Sequence, residues 1–309
     1  MLELQNVSIR FGSGPAAVTD ASFSVPEGKR TIVIGETGSG KSVLLLAILG
    51  LLPRSAQLSG SICFDGRELT KLTQRQMNAV RGAQISYIPQ GSGNGLNPLY
   101  TVGHQIDETI RKHNRVPART ARRRTEALLE RFGIEGPARR ANDYPFAFSG
   151  GMRQRALIAM GISANARLVL ADEPTKGLDQ RRIRTVIDAF HRLDGRTLLC
   201  VTHDLRLAKA LADQVVVMYA SQQIESGPGE AFFSEPLHPY SRAMLDALPE
   251  NGLQARMGFA PPREDAQAQD ACHFCERCPL RDSRCNRMPP MVSVGERRVR
   301  CWKYVDGVE

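Results

Sequence analysis

Residues Gly35-Glu36-Thr37-Gly38-Ser39-Gly40-Lys41-Ser42 form a glycine-punctuated loop between two apolar runs, Thr31–Ile34 before it and Val43–Leu52 after it. This matches GxxxxGK(S/T), the spacing of a loop that wraps phosphates between a strand and a helix. The match commits the chain to an α/β fold with the loop at a strand's carboxyl end. Glycines let backbone N–H groups turn inward around an anion, and the helix N-terminus adds partial positive charge. Lys41 is expected to reach the β- and γ-phosphates and Ser42 to ligate Mg²⁺. Alone, the loop implies a nucleotide and does not choose among kinases, GTPases and transport motors.

Two further strand ends carry chemistry. Leu168-Val169-Leu170-Ala171 is a buried-strand run that ends in Asp172-Glu173. Asp172 is placed to hold Mg²⁺ through water, and Glu173 to polarise an attacking water as general base. A second apolar run ends at Val201-Thr202-His203-Asp204. His203 there is a candidate for orienting that water, although a lone histidine at a strand end is more often a turn residue.

The remaining chain organises around these points. Strand patterns are predicted at Leu2–Ile9, Thr31–Gly35, Ser61–Phe64, Gln84–Pro89, Leu168–Asp172, Thr197–Val201, Gln214–Tyr219 and Gln222–Glu225. Amphipathic helices are predicted near Val102–His113 and Arg119–Phe132, within a helical region of about 91–165, and at Tyr240–Leu248. Strands alternating with helices imply a mostly parallel sheet with covered faces. From about Pro236 the texture changes: the Tyr240–Leu248 helix leads into Asn251-Gly252, then a Pro/Ala/Gln linker and a cysteine-rich tail. The longest apolar stretch near a helix pattern is Val43–Leu52, about half of what a bilayer requires, so no membrane span is expected. The N-terminus lacks the basic-then-apolar order of an export signal. The net charge is +9, and its densest run is Arg119 with Arg122–Arg124. No aromatics interleave with those arginines, so they are expected to form a solvated helix face and no nucleic-acid partner is expected.

Phe148-Ser149-Gly150-Gly151-Met152-Arg153-Gln154-Arg155 chooses the family. A serine and two glycines opening a helix make a second anion site, one without a lysine. Its place before the Asp172-Glu173 strand, with Gln90 after the Ser86–Pro89 strand and Leu178-Asp179 after the carboxylates, resembles the ATP-binding cassette (ABC) family over roughly residues 1–250. The resemblance implies a P-loop NTPase (RecA-like) core with an antiparallel β subdomain and a helical subdomain. It implies that Ser149, Gly150 and Gly151 complete the ATP site of an opposing subunit, and that Gln90 senses Mg²⁺ and couples to a membrane subunit. It further implies that Asp179 crosses the dimer interface, that His203 is the switch histidine, and that Phe11 stacks on adenine. Two departures stand out. Phe148 and Met152 replace the commoner Leu and Gln, a variant shared with oligopeptide, dipeptide and nickel importers. Lys176-Gly177 replaces small or hydroxyl residues. Leu96-Asn97-Pro98 and His238-Pro239-Tyr240-Ser241-Arg242 also resemble that importer branch.

Five cysteines fall within residues 272–301, and Cys63 and Cys200 fall in predicted strands. In a reducing compartment close-set thiols suit iron–sulfur or Zn²⁺ better than disulfides. The importer-branch extension carries cysteines spaced as Cys272, Cys278, Cys285 and Cys301, which implies a 4Fe–4S cluster, with Zn²⁺ or uncoordinated thiols as alternatives. Cys275 also completes a ferredoxin-like run with Cys272 and Cys278, so its role stays open.

The resemblance thus implies residues 1–250 as a nucleotide-binding domain and 251–309 as a Cys-rich extension. The implied activity is ATP hydrolysis driving uptake of peptides, nickel or a related small solute, at the cytoplasmic face of the membrane. The implied partners are a second ATPase chain, a different one ahead of a second copy, two membrane permease subunits and, indirectly, a substrate-binding protein. The alternatives are a cassette ATPase acting on nucleic acid or ribosomes, and an ATP-dependent regulatory module. Long coiled coils or a duplicated cassette would mark the first, and neither pattern is present. Glu173 and His203 together argue against the second.

Overall fold

The computed structural model describes residues 1–91, 95–193, 195–248 and 270–305. In chain order the strands are β1 (Leu2–Phe11), β2 (Ala16–Val25), β3 (Arg30–Gly35), β4 (Ala56–Phe64), β5 (Arg67–Glu68), β6 (Ile85–Ile88), β7 (Leu168–Asp172), β8 (Thr197–Thr202), β9 (Gln214–Tyr219), β10 (Gln222–Pro228), β11 (Val292–Val294) and β12 (Arg297–Val299). The helices are α1 (Lys41–Ile48), α2 (Gln74–Val80), α3 (Val102–Asn114), α4 (Ala118–Arg131), α5 (Pro137–Arg140), α6 (Gly150–Ser163), α7 (Gln180–His191), α8 (Leu205–Leu211), α9 (Gly229–Ser234) and α10 (Pro239–Asp246). The chain divides into two compact units: 1–26, 31–70 and 203–309 form one, and 27–30 with 71–202 form the other. The linker expected from Asn251 onward lies outside the described residues.

In the first unit the strand order is β5-β4-β1-β2-β10-β9-β3. β1 begins with Leu2 and Leu4 buried and ends with Val7 and Ile9 buried. The alternation slips by one because Asn6 takes φ 50° and the register with β2 shifts between Leu4 and Val7. An inserted residue turns the following side chains to the opposite face, so the slip keeps the apolar set inward. Asn6 Nδ2 donates to Asp20 Oδ1 across the bulge at 2.8 Å. β9 and β10 join through Ala220 and Ser221, at φ 43° and 71°, the positive values a two-residue hairpin requires.

The C-terminal residues are stitched onto this unit. β12 pairs antiparallel with β10 (Glu225↔Val299) and β11 pairs with β12. Arg300 is 8% exposed; its guanidinium donates to Gln223 O at 3.1 Å and pairs with Asp20 at 2.8 Å. Glu225, 1% exposed, accepts the Leu237 and His238 N–H groups at 2.8 Å each. Burial raises the Glu225 carboxyl's pKa, and those N–H groups oppose the shift.

In the second unit β6, β7 and β8 form a parallel set, with Ile85↔Leu168 and Leu168↔Thr197 in register. All five residues of β7 and all six of β8 are buried, the signature of strands covered on both faces. α3 buries Val102, Ile106 and Ile110, one stripe at a four-residue step, and α4 buries Ala121, Thr125 and Leu129 in the same way. Arg122 pairs with Asp107 at 3.4 Å and Glu126 at 3.2 Å, while Arg119, Arg123 and Arg124 are exposed. Among the described residues no helix is long and apolar enough to cross a membrane.

His238 gives the first unit a pH dependence. Its ring is 2% exposed, and its Nδ1 accepts the Tyr240 N–H at 3.0 Å, which only a neutral ring can do. Burial pushes its pKa down to about 3. Unfolded histidine takes up a proton below about 6.5 and the folded ring does not until about 3, so stability is lost as pH falls through that window. At pH 5 the loss is about 2 kcal/mol. Urea midpoints at pH 7 and pH 5 should separate clearly for the wild type and much less for His238→Asn, which keeps a capping oxygen. Equal separation in both proteins would exclude His238 as the source.

Candidate nucleotide site

The phosphate loop belongs to the first unit. β3 carries Ile32, Val33 and Ile34 at 0–1% exposure and runs parallel to β9, with Gly35 opposite Met218. Gly35 takes φ +154°, and a Cβ there would stand 2.0 Å from the Met218 carbonyl oxygen. Gly40, the N-cap of α1, takes φ +95°, and a Cβ there would stand 2.2 Å from the Ala17 oxygen. Only glycine allows both approaches. Lys41 is 5% exposed; its ammonium donates to Gly35 O and Glu36 O at 2.8 Å each and to Ser39 Oγ at 3.4 Å. α1 has no acidic residue in its first turn, so nothing in it opposes an anion there. Thr37 and Gly38 are exposed and Ser42 is half-buried. The Glu36 side chain turns to Arg277, a partner the sequence pattern does not reveal. Phe11 closes β1, half-buried, and His203 is exposed after β8.

The carboxylate pair belongs to the second unit. Asp172 is 3% and Glu173 6% exposed. Burying carboxylates is costly unless donors meet them. The Tyr87 hydroxyl donates to Asp172 Oδ2 at 3.2 Å, and the Thr202 hydroxyl donates to Glu173 Oε2 at 3.3 Å. Burial and the charge of Asp172 push the Tyr87 phenol's pKa up, so it remains a donor. Burial, then Glu173 and Asp172, push up the Cys200 thiol, which stays protonated in the core. Glu173 takes φ +47°, sparsely populated for a non-glycine residue, and its N–H is tied to Val201 O at 2.9 Å. A buried Asp suited to a hard cation therefore stands beside a Glu held by backbone geometry at a strand end.

Further along this unit two helix N-termini come together. Ser149 caps α6 by accepting the Met152 N–H at 3.3 Å, and Asp179 caps α7 by accepting the Arg182 N–H at 3.0 Å. Arg182 also pairs with Asp179 at 2.7 Å and lies over Gly151, where a Cβ would meet its Cδ at 3.3 Å. Gly150 and Gly151 open α6, and Gln154 in its second turn donates to Pro174 O at 3.2 Å. Lys176-Gly177 forms the turn between, with Gly177 at φ +77°. Gln90 follows β6 and is exposed. Tyr87, Thr202 and Gln154 were missed as site residues by sequence reasoning. The only sequence signal for Tyr87 and Thr202 is a hydroxyl at the end of an apolar strand.

All seven cysteines are free thiols. Cys272, Cys278, Cys285 and Cys301 line one cavity of about 230 Å³, and Cys275 does not. Burial pushes the Cys272 thiol up to about 12 and raises those of Cys278 and Cys301. Among the described residues no group of three or more His, Cys, Asp or Glu side chains stands close enough to hold a metal ion.

Comparison with known proteins matches both regions. Residues 18–176 match the ABC transporter family, and residues 224–285 match the oligopeptide/dipeptide transporter C-terminal region. A putative peptide import ATP-binding protein of Brucella abortus (strain 2308) is 36% identical over 97% of this chain and 94% of its own length. The dipeptide transport ATP-binding protein DppD of Escherichia coli (strain K12) is 37% identical over 95% of this chain and 93% of its own. An ATP-binding cassette solved as a dimer in a post-hydrolysis state with ADP and Pi has TM-score 0.67 and 25% identity, covering 74% of this chain and 98% of that one. These matches establish the mixed α/β cassette fold and do not favour a nucleic-acid or ribosome-directed ATPase. The chain belongs to the ATP-binding cassette transporter family, as an ATP-binding and ATP-hydrolysing subunit of an importer.

Proposed function

We propose that this chain drives peptide uptake at the cytoplasmic face of the membrane, paired head to tail with a second ATPase chain that differs from it. The carboxylate pair carries the turnover assignment: Asp172 and Glu173 are buried at the end of one strand, each met by a hydroxyl. In this reading Lys41 and the backbone of residues 35–40 would hold the β- and γ-phosphates, and Ser42, Gln90 and Asp172 would serve as the Mg²⁺ ligands that neutralise phosphate charge. Phe11 stacks on adenine, Glu173 takes the proton of the attacking water, and His203 orients that water against the γ-phosphate. Ser149–Gly151 and Asp179 serve the partner's nucleotide. Their shared contact with Arg182 supports a common role for the two helix N-termini. Residues 1–250 are assigned to the cassette, with a helical subdomain at about 91–165, and 251–309 to the extension.

Peptide is preferred to nickel as cargo because both relatives named above are peptide or dipeptide import proteins. A surface on the second unit suits two permease subunits, which would in turn engage a substrate-binding protein. Leu99 and Phe146 are each 78% exposed, with Tyr100 and Tyr144 exposed beside them. The two segments are joined by the Val102 N–H donating to Asp143 O at 3.0 Å. Large apolar side chains clustered in water mark a surface that a partner covers.

The extension's thiols suit a soft metal centre. Four cysteines line one cavity, and a soft metal bound there would displace the thiol protons that burial otherwise retains. Cys272, Cys278, Cys285 and Cys301 would hold a 4Fe–4S cluster, which would staple the tail; Zn²⁺ is the alternative occupant.

Glu173→Gln should leave ATP binding intact, lower phosphate release at least about a hundredfold and trap an ATP-bound dimer. Phosphate release and dimer mass measure this, and near wild-type turnover would remove Glu173 from the mechanism. Purified without oxygen, the chain should contain about four irons and four sulfides. Cys272→Ser, Cys278→Ser, Cys285→Ser and Cys301→Ser should each abolish iron binding, whereas Cys275→Ser should retain it. A colourless, zinc-loaded protein would replace the cluster with Zn²⁺.

A further inference from the structure

The second residue of the phosphate loop is held from outside the loop, by the C-terminal region. Arg277 Nη1 lies 3.2 Å from Glu36 Oε1 and 3.3 Å from the Tyr219 hydroxyl. Its guanidinium stands over the rings of Tyr219 and Phe274, 5.8 and 5.5 Å from their centroids. The Tyr240 hydroxyl is hydrogen-bonded to the Glu36 backbone. Tyr219, Tyr240 and Phe274 pack on one another, with ring centroids 4.5–5.7 Å apart. Arg277 itself projects from a single 3₁₀ turn, Cys275–Arg277.

The chemistry of this arrangement is electrostatic. A carboxylate in the phosphate loop opposes the approach of a polyanion, and the effect is felt through the partly desolvated loop. Arg277 has 16% side-chain exposure and Glu36 39%, so solvent screens the pair only in part. The aromatic faces hold the guanidinium over the loop and favour its charge. The loop entry is thus fixed at its backbone by Tyr240 and neutralised at its side chain by Arg277.

We propose that Arg277 is a positioning residue for ATP binding, offsetting the charge of Glu36 so that the C-terminal region completes the phosphate loop. The proposal rests on the assignment of residues 35–42 as the ATP-binding loop.

The test uses the full chain and measures ATP affinity, KM and kcat. Arg277→Met should weaken ATP affinity and raise KM about threefold to tenfold, with kcat within about twofold, and Arg277→Lys should recover most of the loss. In a Glu36→Gln background no charge remains to be offset, so adding Arg277→Met should change affinity by less than about 1.5-fold. A tail that merely loosens would lower affinity equally in both backgrounds, and that result overturns the proposal. Unchanged affinity on Arg277→Met in the wild-type background overturns it as well. Lys41→Ala tests the underlying assignment separately: retained ATP affinity there would show the loop assignment, not the role of Arg277, to be at fault.

Discussion

The loop of residues 35–42 depends on backbone pressed against backbone. Binding a polyanion with few cations requires several N–H groups to converge, and a loop that tight has no room for side chains at its bends. At Gly35 that bend is pressed onto the Met218 carbonyl of β9, and at Gly40 onto the Ala17 carbonyl of β2. The unit is therefore built to keep β9 and β2 in place. β9 is buried along nearly all its length and β2 on one face of it, and β10 pairs with each of them. β10 in turn carries Glu225, whose carboxylate holds the chain at Leu237 and His238, and receives β12 from the tail. The C-terminal region is thus an extension of the scaffold that shapes the loop.

The second unit solves a different problem, that of burying two carboxylates at the end of a strand covered on both faces. It does so with hydroxyls from neighbouring strands, Tyr87 from β6 and Thr202 from β8, and with the positive φ of Glu173. Parallel register makes those donors available, since Asp172 pairs with Val201 and Ala171 with Ile88. The same unit aligns the caps of α6 and α7 through Arg182. Asp172 and Glu173 are buried while Ser149, Gly150 and Asp179 are exposed, so the burial pattern separates the held carboxylates from the open helix ends.

Local patterns were legible in the sequence, and pairings between distant segments were not. β7 and β9 lie where the apolar runs place them, α3 begins where predicted and runs one residue longer, and α4 is shifted by one residue at each end, because burial and helical periodicity are written into neighbouring residues. β2 escaped notice because Ala16–Val25 mixes Thr19, Asp20 and Ser22 into its run, while β11 and β12 are too short to show a period. The loop Gly35–Ser42 and the Asp172-Glu173 pair were found from spacing alone. Tyr87, Thr202 and Arg277 were not, since each meets its partner across 29 to 241 residues of chain. No periodicity encodes such a contact.

The central claim is that one bound nucleotide is shared between the phosphate loop of one chain and the Ser149–Gly151 helix end of another. Amide hydrogen exchange of the full chain, alone and together with its partner ATPase chain, with and without a non-hydrolysable ATP analogue, tests it directly. The account predicts that residues 35–42 are protected by the nucleotide in both cases, while residues 149–152 gain protection only when the partner chain is bound. Protection of both segments in the isolated monomer, or none at 149–152 in the associated form, would contradict it.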